Sequence, residues 1–74
     1  MDINNALELT NIKSQYNHTD IVLKNIEILS TDILKNINLT EEDKNYICNE
    51  IILATGALER IKTILNDKVN DIID

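Results

Sequence analysis

Residues 38–43, Asn-Leu-Thr-Glu-Glu-Asp, decide the fold that this sequence predicts. Thr40 suits the N-cap of a helix, because its hydroxyl can accept a hydrogen bond from the backbone N–H three residues later. Three acids follow Thr40 in the first turn, where the helix dipole favours negative charge. Leu39 places an apolar residue immediately before the cap. The stretch therefore predicts a turn at 38–40 that leads into a helix.

A heptad repeat of apolar residues follows this turn. Its members alternate at spacings of four and three, with Lys68 at the one polar position: Ile47, Ile51, Ala54, Leu58, Ile61, Leu65 and Ile72. Such a repeat is typical of a helix that packs along a second helix. It predicts one long helix over about residues 41–73.

A second apolar row lies beside the first, and we call it the outer stripe: Tyr46, Leu53, Ala57 and Ile64. At 100° per residue the two rows together span an arc of roughly 160°. One facing helix covers less than that, so the outer stripe is predicted to bind a partner.

Gly56 lies within the small-residue run Ala54-Thr55-Gly56-Ala57. A glycine in the middle of a helix costs about 1 kcal/mol relative to alanine. Four small residues in a row allow another backbone to approach closely, so Gly56 is a predicted partner contact. The alternatives are packing against the first helix of the same chain and no role at all.

The segment before the turn repeats this pattern. One broad apolar face comprises Val22, Leu23, Ile26, Leu29, Ile33, Leu34 and Ile37. Ile21 and Ile28 lie one heptad apart on the opposite face and are further predicted partner contacts. The alternative for these two is that they are scattered exposed apolar residues.

The first twenty residues allow two arrangements. Ile3, Leu7, Leu9 and Ile12 suit an amphipathic helix, but Tyr16 is the one apolar residue from 13 to 20. One helix over about 3–37 is the first prediction. The alternative is a break near 17–19, which would leave a short third helix folded onto the C-terminal one. In both cases the fold class is all-α, an antiparallel helical hairpin that we expect to associate into a helical bundle.

Composition limits how so small a chain can be stabilised. Its 74 residues form one domain, spanning 1–74, whose small core needs a covalent cross-link, a structural metal or a partner to stabilise it. Cys48 is the one cysteine and His18 the one histidine, so a disulfide and a four-ligand zinc site are both excluded. Association with another chain is the remaining route, and no cofactor or metal is predicted.

Charge and hydropathy exclude several classes of partner. The net charge is −6, with seven basic residues among thirteen acids, so we expect neither nucleic acid nor an anionic membrane surface as a partner. No apolar run reaches the roughly 18 residues of a membrane span. The first five residues carry no basic or apolar region typical of a signal peptide, so a cytoplasmic location is expected.

The sequence offers no catalytic constellation. His18 has no Ser or Cys nucleophile placed to face it, and Cys48 has no basic neighbour closer than Lys44. Gly-rich phosphate loops and nucleophile elbows are missing. We therefore expect a binding protein and not an enzyme.

Residues 39–65 resemble the small helical-hairpin co-chaperones of type III secretion needle subunits. The resemblance lies in a polar turn that leads into an Ala57-Leu58-Glu59 core followed by Ile61 and Ile64. It implies a cytoplasmic bacterial protein that pairs with a tetratricopeptide-type chaperone. Together the two would cap the polymerising helix of the needle subunit.

A second resemblance is to the plasmid copy-control RNA-binding hairpin, which dimerises into a four-helix bundle. The similar stretch runs from Leu39 to Cys48. That family binds RNA with basic side chains of its first helices, whereas acids accompany the three lysines here. The leading hypothesis is thus a small adaptor or co-chaperone with a helical partner; the alternative is a homodimeric four-helix-bundle regulator or inhibitor of phage or plasmid origin.

Overall fold

The computed structural model describes residues 2–73, which form two antiparallel helices. Helix α1 spans Ile3–Lys35 and helix α2 spans Glu41–Ile73. The two helices pack side by side into a rod of 55 × 15 × 11 Å. No strand occurs within residues 2–73. The predicted all-α helical hairpin is confirmed.

Helix α1 is continuous, so the alternative with a short third helix is not what these residues adopt. The helix starts at Asp2, whose carboxylate accepts the Asn5 N–H at 2.8 Å. At the suspected break, the Thr19 hydroxyl donates to the Gln15 carbonyl at 2.9 Å. Thr19 therefore bonds back within α1 and does not cap a new helix. The helix ends at Lys35, two residues before the predicted limit.

An asparagine side chain shapes the turn between the helices. The Asn36 N–H still donates to the Ile33 carbonyl at 3.2 Å, and the Asn36 side-chain oxygen accepts the Asn38 N–H at 2.9 Å. This local bond reverses the chain without a left-handed residue. No residue from 2 to 73 has a positive φ angle.

Helix α2 begins as the sequence predicts. The Thr40 hydroxyl accepts the Asp43 N–H at 3.1 Å, and the Thr40 carbonyl accepts the Lys44 N–H at 3.0 Å. The helix continues for about nine turns to Ile73 without a cap glycine or a proline.

The seam between the helices keeps five of the seven predicted residues of α2 half-buried, namely Ile47, Ile51, Leu58, Leu65 and Ile72. Its buried and half-buried residues on α1 are Leu9, Ile12, Tyr16, Thr19, Asp20, Leu23, Ile26, Ser30 and Ile33. Those on α2 include Cys48, Ile51, Thr55, Leu58, Lys62, Leu65, Val69 and Ile72. The predicted seam members Ala54 and Ile61 are exposed instead, and Thr55 and Lys62 take their place. At two of the seven predicted positions the seam therefore uses the next residue along α2.

Candidate partner-binding surface

The outer stripe lies open on α2. Tyr46, Leu53 and Ile64 are 69%, 66% and 62% exposed, and Ala57 is exposed beside them. One row on a helix therefore presents three large apolar side chains that the hairpin leaves uncovered. Their role in binding a partner stays a prediction.

Polar contacts across the hairpin explain why the seam is rotated. The Lys62 ammonium donates to the Asp20 carboxylate at 3.1 Å and lies 5.0 Å from the centre of the Tyr16 ring. Only 18% of the Lys62 side chain is exposed, so its aliphatic stem lies in the seam while its charge is paired. This arrangement turns the row of Thr55 and Lys62 toward α1. Ile61, on the adjacent row, is consequently 44% exposed.

An apolar groove of about 300 Å³ runs between the helices next to the outer stripe. Its walls come from both helices: Ile26 and Leu29 of α1, and Tyr46, Ile47, Glu50, Ile51 and Ala54 of α2. Leu29 is 47% exposed, so the groove is open to solvent. Tyr46 belongs to both surfaces, so the groove and the outer stripe adjoin at this residue.

The opposite side of the hairpin is polar. A groove of about 420 Å³ is lined there by Asp20, Leu23, Lys24, Ile26, Glu27, Ser30, Ile51, Thr55 and Glu59. Asp20 accepts from Lys62 and lies 3.5 Å from the Lys24 ammonium, whereas Glu27 and Glu59 of this groove form no ion pair within residues 2–73. The Lys62 hydrogen bond lowers the pKa of Asp20, and the same bond raises the pKa of Lys62. The two sides of the rod therefore differ in chemistry.

Ile21 and Ile28 lie on a separate surface. They are 54% and 60% exposed, and helical geometry places them on the side of α1 that faces away from α2. Ile3 follows the same row and is 78% exposed. The structure does not bring these residues together with the outer stripe, so one partner helix cannot contact both.

Gly56 is half-buried by its own helix. A Cβ atom built there would lie 3.4 Å from the Arg60 Nη1 atom, and no atom of α1 between residues 3 and 35 would lie within 4 Å of it. The first helix does not approach Gly56, so packing against α1 does not explain the glycine. A partner contact at Gly56 stays a prediction.

His18 and Cys48 are the side chains that the sequence offered as candidates for catalysis or metal binding. His18 is exposed on α1, and Cys48 is half-buried in the seam. Within residues 2–73, three or more His, Cys, Asp or Glu side chains do not gather as metal ligands would.

The hairpin exposes more surface than a compact chain of its mass. Its accessible surface is 5709 Å², against about 4,700 Å² expected for a compact monomer of 8.5 kDa. Its radius of gyration is 17.0 Å, against about 11 Å for a globular domain of this length. Ile12, at 8% exposure, is the one residue of 2–73 that counts as buried. The excess area is comparable to what one protein contributes to a stable interface, about 800 Å².

Comparison of the chain with protein-family models, with curated proteins and with solved structures gave no match. Within residues 2–73, neither helix combines the length and apolarity needed to cross a bilayer.

Proposed function

We propose that this protein is a small non-enzymatic adaptor or co-chaperone that binds a helical partner through the outer stripe. The observation that carries the proposal is the exposure of Tyr46, Leu53 and Ile64 beside a seam in which Ile12 is the one buried residue of 2–73. Apolar side chains at helical spacing favour a partner helix, because ridges of one helix fit the grooves of another. Association would cover the area that the rod leaves open.

The resemblance to needle-subunit co-chaperones supports a specific form of this proposal. In that form the partners are a tetratricopeptide-type chaperone and a type III secretion needle subunit, in the bacterial cytoplasm. A long hairpin whose second helix presents an apolar row suits a chaperone that is itself built from helices.

Replacement of Leu53 and Ile64 with aspartate tests the outer stripe. We expect the double variant to lose its partner in a pull-down from cells while its circular dichroism stays helical, because both side chains are solvent-exposed in the hairpin. Ile52→Asp is the matched control: Ile52 is 67% exposed and adjacent in sequence, but it points about 100° away. Binding that survives in the double variant, or that is lost equally with Ile52→Asp, would show that the outer stripe is not the binding surface.

The homodimeric four-helix bundle is the second candidate. It is favoured because the groove and the outer stripe adjoin at Tyr46, so that two copies could share them. Light scattering of the purified chain distinguishes the two. A stable dimer supports the bundle, and a monomer or a poorly soluble chain supports the adaptor.

A further inference from the structure

We infer that the apolar groove accepts one amphipathic helix whose apolar ridge is flanked by Lys or Arg residues. This inference rests on the proposed function and names the chemistry of the partner segment. It also adds Ile26 and Leu29 of α1 to the binding surface, beside the outer stripe of α2.

The groove has the form that a single helix requires. Ile26 and Leu29 form one wall, Tyr46 and Ala54 the other, and Ile47 and Ile51 lie between them. Grooves between two antiparallel helices accept the ridge of a third helix, whose apolar residues recur at spacings of three and four. Leu53 and Ile64 do not line the groove, which meets the outer stripe at Tyr46.

Acidic side chains border this groove. Glu50 lines it directly, and Asp43 precedes Glu50 by one heptad on the same row of α2. Asp32 follows Leu29 by one turn of α1. Asp43 lies in the first turn of α2, where the dipole already favours an acid, but Glu50 is about two turns further on.

Within residues 2–73 these acids form no ion pair. The ion pairs among residues 2–73 join Lys24 and Lys62 to Asp20, on the polar side, and Lys44 to Glu41. None of them involves Asp32, Asp43 or Glu50 within that range. Unpaired acids beside an apolar groove complement a segment that carries positive charge on both sides of an apolar ridge.

Charge also argues against a second copy in the groove. Each copy has a net charge of −6, and a two-fold contact would bring the same acids of both chains to one interface. Like charges across an interface disfavour association. The groove is therefore matched to a basic segment of a different protein.

Three synthetic peptides test the inference with the full chain. They share one leucine ridge at helical spacing and differ only at the flanking positions, which are Lys, Gln or Glu. Fluorescence anisotropy should give the tightest binding for the Lys peptide and the weakest for the Glu peptide.

Paired variants separate the groove from general attraction to an acidic protein. Glu50→Lys should weaken binding of the Lys peptide about threefold to tenfold, since it reverses a charge at the rim. Glu59→Lys makes the same charge change on the polar side and should have little effect. Leu29→Asp should weaken binding although it makes the chain more acidic, because it removes an apolar wall of the groove.

The outcomes are distinct. Equal losses for Glu50→Lys and Glu59→Lys, with tighter binding by Leu29→Asp, would overturn the inference by showing non-specific attraction. A different result is equal affinity for all three peptides together with loss of binding in the Leu53 and Ile64 double variant. That result would overturn the predicted preference for a basic segment and leave the proposed function intact. Binding of none of the peptides would overturn the inference, and the pull-down would then decide the proposed function by itself.

Discussion

Asp20 is the residue through which the two helices are placed in register. Its carboxylate lies 3.1 Å from the Lys62 ammonium and 3.5 Å from that of Lys24. The Lys62 side chain is 18% exposed and that of Lys24 is 72% exposed, so the pair with Lys62 is the better shielded from solvent. This pair also keeps the polar stretch around Tyr16 against α2, where the sequence allowed a break.

Asp20→Asn should lower the melting temperature at neutral pH and remove part of its acid dependence. The pKa of Asp20 is lowered in the hairpin, mainly by the Lys62 hydrogen bond, so the stabilisation is present above about pH 4 and is lost as the pH falls through the folded-state value. The raised pKa of Lys62 implies a second loss at strongly alkaline pH, as the pH rises through its folded-state value. Thermal denaturation followed by circular dichroism from pH 2 to 7 measures the loss of stability at acid pH.

Lys24→Gln is the control for that experiment, because it removes the exposed partner and keeps the pair between Asp20 and Lys62. It should retain most of the acid transition. An undiminished transition in Asp20→Asn would assign the acid sensitivity to other carboxylates.

Gly56→Ala should raise the free energy of unfolding by about 0.5–1 kcal/mol, because alanine is the better helix former and the space for its Cβ is already present. Urea denaturation measures this. The reverse change at the next position, Ala57→Gly, should lower stability by a similar amount. Loss of stability in Gly56→Ala would mean that the hairpin itself needs the glycine, whereas weaker partner binding with higher stability would support a backbone contact there.

At the scale of the element, α2 is the helix whose start is best specified. Thr40→Ala should cost about 1 kcal/mol, because it leaves the Asp43 N–H without its 3.1 Å acceptor at the N-terminus. Thr63→Ala serves as the control, since the Thr63 hydroxyl only bonds back to the Glu59 carbonyl within the helix. Chemical denaturation followed by circular dichroism compares the two. Equal effects of the two changes would show that the cap contributes nothing specific.

At the scale of the whole molecule, the two helices form only a small hydrophobic core, with Ile12 as the one buried residue of 2–73. Because the hairpin leaves about 1,000 Å² more surface exposed than a compact chain of its mass, unfolding exposes correspondingly less. The urea m-value of the isolated chain should therefore fall near or below 1 kcal/mol/M, the low end for small domains. A larger m-value with a midpoint that rises with protein concentration would point to the homodimeric bundle.

The sequence by itself determined the elements and the openness of the outer stripe. The Thr40 cap and the heptad repeat are local signals, so they predicted the turn, the start of α2 and the hairpin. The exposure of Tyr46, Leu53 and Ile64 followed from an apolar arc wider than one facing helix covers.

Tertiary structure alone decided which row of α2 packs on α1, that α1 continues through residues 17–19, and that an apolar groove joins both helices. Periodicity alone favoured Ile61 over Lys62 in the seam, because the sequence does not show which residues meet across the hairpin. A lysine stem can lie in a seam when its ammonium reaches a carboxylate on the facing helix, as Lys62 reaches Asp20. That contact spans 42 residues of sequence, and only the folded chain brings its two ends together.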